Sequence, residues 1–129
     1  MDPTYRCSDF SNYPNDVQGA TSALIDNKHP LICGGFYKDV ESADDQCFVL
    51  SPAIKKVVDM IEPRGFSASV ALSSTRIWIT GGKNRQGIDS NFSRSTEFID
   101  YSRDTDSWSA TKGTVLLTRM NPKYFRALK

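Results

Sequence analysis

The sequence is poor in histidine, in long apolar runs and in net charge, and each shortage excludes a class of protein. His29 is the single histidine of 129 residues, so a site that needs two imidazoles is excluded. The longest apolar run, Cys47 to Leu50, is far shorter than the roughly 20 residues of a membrane-spanning helix. No apolar stretch of about 7–15 residues follows Met1, so no signal peptide is expected. The net charge of +1 excludes a strongly basic nucleic-acid-binding protein.

Short apolar segments bounded by turn residues recur along the chain, which is typical of β-strands. Six segments are predicted as strands: Thr21 to Ile25, Leu31 to Cys33, Cys47 to Leu50, Ser69 to Leu72, Arg76 to Thr80 and Glu97 to Tyr101. The short gaps at Asp26 to Pro30 and at Ser73 to Thr75 indicate hairpins. Because no long amphipathic helix separates these segments, the spacing predicts an antiparallel all-β fold.

One pattern is found twice in the sequence. Leu31 to Gly35 is similar to Ile77 to Gly82, and Gly34 and Gly81 lie 47 positions apart. A segment rich in small residues precedes each double glycine, at residues 19–24 and 65–72. A period in the forties with four strand-like pieces per unit is the signature of a β-propeller blade.

Residues 52–61 fit two structures. Four apolar residues have the spacing of one helix face: Ile54, Val57, Val58 and Ile61. Ser51 followed by Pro52 suits the start of a short helix. The repeat instead aligns residues 48–58 with residues 98–108 without a gap. We therefore predict a turn and a strand over residues 52–61.

The repeated residues resemble the kelch motif. The second unit has Pro63-Arg64 at its entry, then the double glycine, Glu97 to Asp100 and Trp108. The first unit keeps its double glycine but has Val58 at the place of the kelch tryptophan. The resemblance implies two kelch-like four-stranded antiparallel blades of an incomplete β-propeller. It gives scaffold roles to six residues: Gly34, Gly35, Arg64, Gly81, Gly82 and Trp108.

The resemblance also divides the chain. It implies the end of a preceding blade and a linker at residues 1–18, repeat 1 at 19–64, repeat 2 at 65–110 and a divergent basic tail at 111–129. The charge changes at the same place, from a net −4 over residues 1–110 to a net +5 beyond. We expect the tail to be peripheral, and we expect exposed blade faces to make the chain self-associate.

The bonding state of the cysteines has two interpretations. There are three, so at least one is free or bonded outside this chain. Cys33 ends one predicted strand and Cys47 begins the next, which is compatible with a disulfide or with two buried thiols. His29 and Cys33 are only two metal ligands, and a structural zinc site needs four. We expect neither a metal nor a cofactor.

The loops after the double glycines are the candidate partner-binding segments, because loops on a rigid scaffold vary freely. The acidic loop runs from Phe36 to Gln46, and the basic loop runs from Lys83 to Ser95. Their candidate contact residues are Lys38, Asp39, Asp44, Asp45, Lys83, Arg85 and Arg94. If both loops lie on one face, their opposite charges would orient a protein partner.

The resemblance implies a protein–protein interaction module with a protein as partner. We expect no enzyme, because the sequence lacks a convergent set of catalytic groups, and its charge and short apolar runs argue against nucleic acid and membrane as partners. One alternative is a structural propeller fragment without independent activity. Another is part of a kelch-type oxidase, since kelch propellers include oxidases whose copper is held by histidine and tyrosine. One histidine is too few for such a site. The compartment stays open between the cytoplasm and, if a longer parent chain has a signal peptide, secretion.

Overall fold

A computed structural model describes residues 12–14, 16–87 and 92–113, and this part of the chain has strands and no helix. No helix in these ranges could therefore cross a membrane. The strands are β1 (Val17–Gln18), β2 (Thr21–Ile25), β3 (His29–Cys33), β4 (Phe36–Tyr37), β5 (Gln46–Ser51), β6 (Ala53–Asp59), β7 (Ala68–Ala71), β8 (Arg76–Thr80), β9 (Thr96–Ser102) and β10 (Ser107–Gly113). The predicted all-β class is confirmed.

The strands form three antiparallel sheets. The first sheet has the order β2-β3-β5-β6, and the second has the order β7-β8-β9-β10. The third is the short pair β1-β4. The hairpins predicted between β2 and β3 and between β7 and β8 are both present. Over the described ranges the sheets do not close into a ring.

The two four-stranded sheets pack face to face. Strand β2 lies against β7, and β6 lies against β10, so the first strands of the two sheets face each other and so do the last strands. Alternation along each strand places one set of side chains between them. This core consists of Ile25, Leu31, Cys33, Cys47, Met60, Ile77, Ile79 and Ile99. Since residues of both sheets share one core, each sheet stabilises the other.

Residues 52–61 contain a strand, as predicted. Strand β6 pairs with β5, and a single residue, Pro52, lies between the paired Ser51 and Ala53. Lys55 and Lys56 are exposed on this strand. The helix-like spacing of its apolar residues therefore does not produce a helix, because pairing with β5 satisfies the backbone.

The gap-free alignment of residues 48–58 with 98–108 is wrong. Counted from the double glycines, Ile32 corresponds to Ile79, and their partners across the sheet are Phe48 and Glu97 respectively. Phe98 instead pairs with Trp78, and it lies on the face of the sheet opposite to that of Glu97. A shift of one residue reverses the face of a strand. The turns also differ, since residues 103–106 separate β9 from β10 whereas Pro52 alone separates β5 from β6.

The second sheet has an outer face, turned away from the first sheet, that is rich in apolar side chains. Val70 is 48% exposed and Leu72 is 54% exposed. Trp78 and Phe98 are partly exposed beside them, and the Arg76 guanidinium lies 4.0 Å from the centre of the Phe98 ring. Apolar patches of this kind favour association. The self-association expected from the sequence stays a prediction.

The first residues of the two double glycines have the same conformation but different surroundings. Gly34 has φ 71°, and Gly81 has φ 72°, in the left-handed region that glycine tolerates best. A Cβ at Gly34 would lie 2.2 Å from the carbonyl oxygen of Arg64, whereas a Cβ at Gly81 would meet no described atom within 4 Å. Both positions therefore need glycine for their backbone, and Gly34 needs it for space as well.

Trp108 lies on β10 and contacts the shared core, but it is half-buried rather than enclosed. Its ring centre is 4.7 Å from that of Tyr101. We expect Trp108→Ala to lower the free energy of unfolding by about 2 kcal/mol, less than for a fully buried tryptophan. Urea unfolding measures this loss. Phe92→Ala is the control, since that ring is 77% exposed; equal effects of the two substitutions would contradict the packing role of Trp108.

Candidate interaction surface

The acidic and basic loops meet at one edge of the paired sheets. The Ala43 amide donates to the Asn84 carbonyl oxygen at 2.8 Å, and the Gln86 amide donates to the Glu41 carbonyl oxygen at 2.9 Å. The Arg85 guanidinium forms an ion pair with the Glu41 carboxylate at 3.0 Å. The loops thus form one surface, and part of their opposite charge is neutralised internally.

Lys38 and Asp39 are exposed at the tip of a turn after β4. The Lys38 amide donates to the Asp16 carbonyl oxygen at 3.3 Å, and Asp39 has φ 62°. A groove of about 640 Å³ runs along this turn. Its lining includes Asp16, Tyr37, Lys38, Val40, Glu41 and Gln86. Both predicted contact residues are therefore accessible to a partner.

Asp44 has internal partners. Its carboxylate accepts hydrogen bonds from the Tyr37 hydroxyl at 3.1 Å and from the Gln46 backbone amide at 3.3 Å. Its carbonyl oxygen accepts from the Arg64 amide at 3.3 Å. Burial, followed by the charge and hydrogen bond of Asp44, raises the pKa of Tyr37 to about 12. Asp44 consequently fixes the base of the acidic loop.

Asp45 is half-buried beside Asp44. Burial is the main cause of its raised pKa, and the nearby charges of Asp59 and Asp44 act in the same direction. Its carbonyl oxygen accepts a hydrogen bond of 2.6 Å from the Met60 amide, which joins the loop to the chain leaving β6. Asp45 is thus held close to the body of the first sheet.

Lys83 lies between two exposed aromatic residues that the sequence analysis did not single out. The Lys83 and Gly65 backbones exchange hydrogen bonds of 2.8 and 2.9 Å, and Lys83 also forms a β-bridge with Phe92. The Lys83 ammonium is 5.3 Å from the centre of the Phe66 ring. A cavity of about 330 Å³ is lined by Phe66, Gly82, Lys83 and Phe92. Arg94 is exposed in the same loop.

Arg64 joins the two double glycines. Its carbonyl oxygen accepts from the Gly35 amide at 2.9 Å, and its side chain donates to the Gly81 carbonyl oxygen at 2.9 Å. The guanidinium also forms an ion pair of 2.8 Å with Glu97, and each of these side chains is 1% exposed. The other Glu97 carboxylate oxygen accepts from the Ile61 amide at 2.8 Å. This arrangement fixes the linker between the sheets to both double glycines, which the acidic and basic loops follow.

Cys33 and Cys47 form a disulfide across β3 and β5, where they are directly paired. They are 1% and 0% exposed, and they lie in the core between the two sheets. Cys7 lies outside the described residues. The bond therefore connects the two strands on either side of the acidic loop.

Within residues 12–14, 16–87 and 92–113, no group of three or more His, Cys, Asp or Glu side chains has an arrangement that could hold a metal ion. His29, the histidine at the start of β3, pairs with Ile25 across the first hairpin. The groups that converge at the loop edge are instead charged, amide and aromatic side chains. Such a set is suited to recognition by hydrogen bonds and apolar contact.

No protein-family model matches the sequence, and no curated protein matches it. Among solved structures, the chain is similar to a fungal alcohol oxidase of the AA5 family that was solved in complex with copper. The TM-score is 0.59 at 19% identity, and the match covers 78% of this chain but 23% of the oxidase chain. At this identity the similarity concerns the fold alone, and this chain spans less than a quarter of the oxidase.

Proposed function

We propose that this chain is a protein-binding module in which two kelch-type blades of a β-propeller present the acidic and basic loops to a protein partner. The observation that carries the proposal is the joining of these loops into one surface by the Glu41–Gln86 and Ala43–Asn84 backbone hydrogen bonds. Both loops have charged side chains that are exposed to solvent. The ordered scaffold lowers the entropic cost of binding.

We propose no catalytic role. The oxidase activity of the structural neighbour is not extended to this chain, since the similarity is limited to the fold. The one histidine lies on β3 rather than in the loop surface. Acyl, phosphoryl or redox chemistry would need converging reactive groups, and the loop surface is better suited to recognition.

The test compares proteins retained by the immobilised full chain with those retained by two variants. Lys38→Glu combined with Arg94→Glu reverses one exposed charge on each loop. Lys55→Glu reverses an exposed charge on β6 and is the control. We expect a partner that binds the native chain and the control, and that loses at least about tenfold in affinity for the loop variant.

Identical retention by all three proteins would contradict the proposal, because binding would then not depend on the loop surface. Circular dichroism of each variant checks that the sheets remain folded. The affinity of the retained partner is measured by surface plasmon resonance at two salt concentrations, since exposed charge contacts weaken with salt.

A further inference from the structure

We infer that Phe66, Lys83 and Phe92, here called the aromatic–lysine surface, bind a protein segment that has a carboxylate next to an apolar side chain. The inference rests on the proposed function, because it names the chemistry of a partner for the loop edge. It concerns residues different from those changed in the loop-charge test. The cavity they line, about 330 Å³, is at the small end of the usual range for ligand sites.

Both phenylalanines leave more than half of their surface exposed to solvent. Phe66 is 56% exposed, and Phe92 is 77% exposed. Aromatic residues are enriched at interfaces, where a large apolar contact forms at low entropic cost. Two such rings beside one cavity therefore provide the apolar half of a binding site.

Phe66 has a backbone conformation that a bulky residue rarely adopts. Its φ is 55°, which asparagine or glycine would tolerate better. The Phe66 amide donates to the Gly19 carbonyl oxygen at 2.7 Å, and the ring centre is 5.9 Å from that of Phe36. The fold thus holds this ring at the surface despite local strain, and strain of this kind occurs preferentially at functional sites.

The charge of the surface selects an acidic partner. Lys83 forms no ion pair with a carboxylate in the described ranges. The next cation of the basic loop, Arg85, already binds the carboxylate of Glu41. A partner carboxylate at Lys83 would make the same kind of contact, and its neighbouring apolar side chain would lie between the two phenyl rings.

A phage library of random twelve-residue peptides, selected on the immobilised full chain, tests this. We expect enrichment of peptides that contain Asp or Glu beside Leu, Ile, Phe or Trp. Fluorescence anisotropy then gives the affinity of one enriched peptide, synthesised with a dye. Phe92→Ser and Lys83→Glu should each weaken binding by at least about tenfold, whereas the control Val70→Ser, on the outer face of the second sheet, should not.

Phe66→Asn separates recognition from stability. Asparagine suits the left-handed backbone, so this variant should fold, which a melting curve checks, while the peptide should bind at least about tenfold more weakly. Enrichment of basic or uncharged peptides, the absence of any enriched family, or unchanged affinity for Phe92→Ser and Lys83→Glu would each overturn the inference. None of these results changes the outcome of the Lys38→Glu and Arg94→Glu comparison, which decides the proposed function separately.

Discussion

Glu97→Gln should lower the free energy of unfolding by about 3–5 kcal/mol, the usual cost of removing one partner of a buried ion pair. Arg64 and Glu97 are each 1% exposed and lie 2.8 Å apart, so the substitution leaves a guanidinium in the core without its charge partner. Glu62, at 3.6 Å and 40% exposed, compensates only in part. Equilibrium urea unfolding of the full chain measures the loss.

The matched control is Arg85→Gln, which removes the exposed ion pair with Glu41. Pairs of that kind contribute less than about 1 kcal/mol. The double variant Arg64→Met with Glu97→Met should be less destabilised than either single variant, since no buried charge is left unpaired. If Glu97→Gln and Arg85→Gln had equal effects, Arg64 and Glu97 would not form the buried pair described above.

Replacing both Cys33 and Cys47 by alanine should cost about 3 kcal/mol or more. The bond closes a loop with a sequence separation of 14, and cross-linking a loop of that size restricts the unfolded chain by about 3 kcal/mol. Loss of the buried sulfur atoms from the core adds to this. The unfolding midpoint in urea should therefore fall markedly relative to the native chain.

The same measurement in the presence of a thiol reductant provides an independent comparison. Reduction should destabilise the native chain and leave the double alanine variant unchanged. The variant Cys7→Ser, measured in parallel, removes the third thiol and therefore any thiol–disulfide exchange between it and the Cys33–Cys47 bond. A native chain whose unfolding curve does not respond to reductant, with the thiols shown to be free by alkylation, would contradict the disulfide.

The strands could be predicted from the sequence because their side chains alternate between a core and an exposed face. Thr21–Ile25 and Arg76–Thr80 have the predicted bounds. Register could not be predicted in the same way. The aromatic match of Phe48 with Phe98 suggested an alignment, but the length of the turns and the pairing across each sheet decide which face a residue occupies.

The candidate site was predictable in its location more than in its chemistry. The double glycines marked where both loops begin, and Lys38, Asp39, Arg85 and Arg94 are exposed there as their charge suggests. Asp44 has internal partners because the loop folds back so that the Tyr37 hydroxyl, and also the nearby Gln46 amide, donate to its carboxylate. The exposure of Phe66 depends on its left-handed backbone, and no local sequence pattern indicates that conformation.

The exposed outer face of the second sheet gives the two four-stranded sheets unequal local stability. At matching positions, 47 residues apart, Ile25 is 2% exposed and Leu72 is 54% exposed. Strand β2 has two buried residues, Thr21 and Ile25, whereas no residue of β7 is buried. Amide protons of β7 should therefore exchange with solvent faster than those of β2, so that opening of the chain begins at the second sheet and a ligand on its outer face would slow that opening.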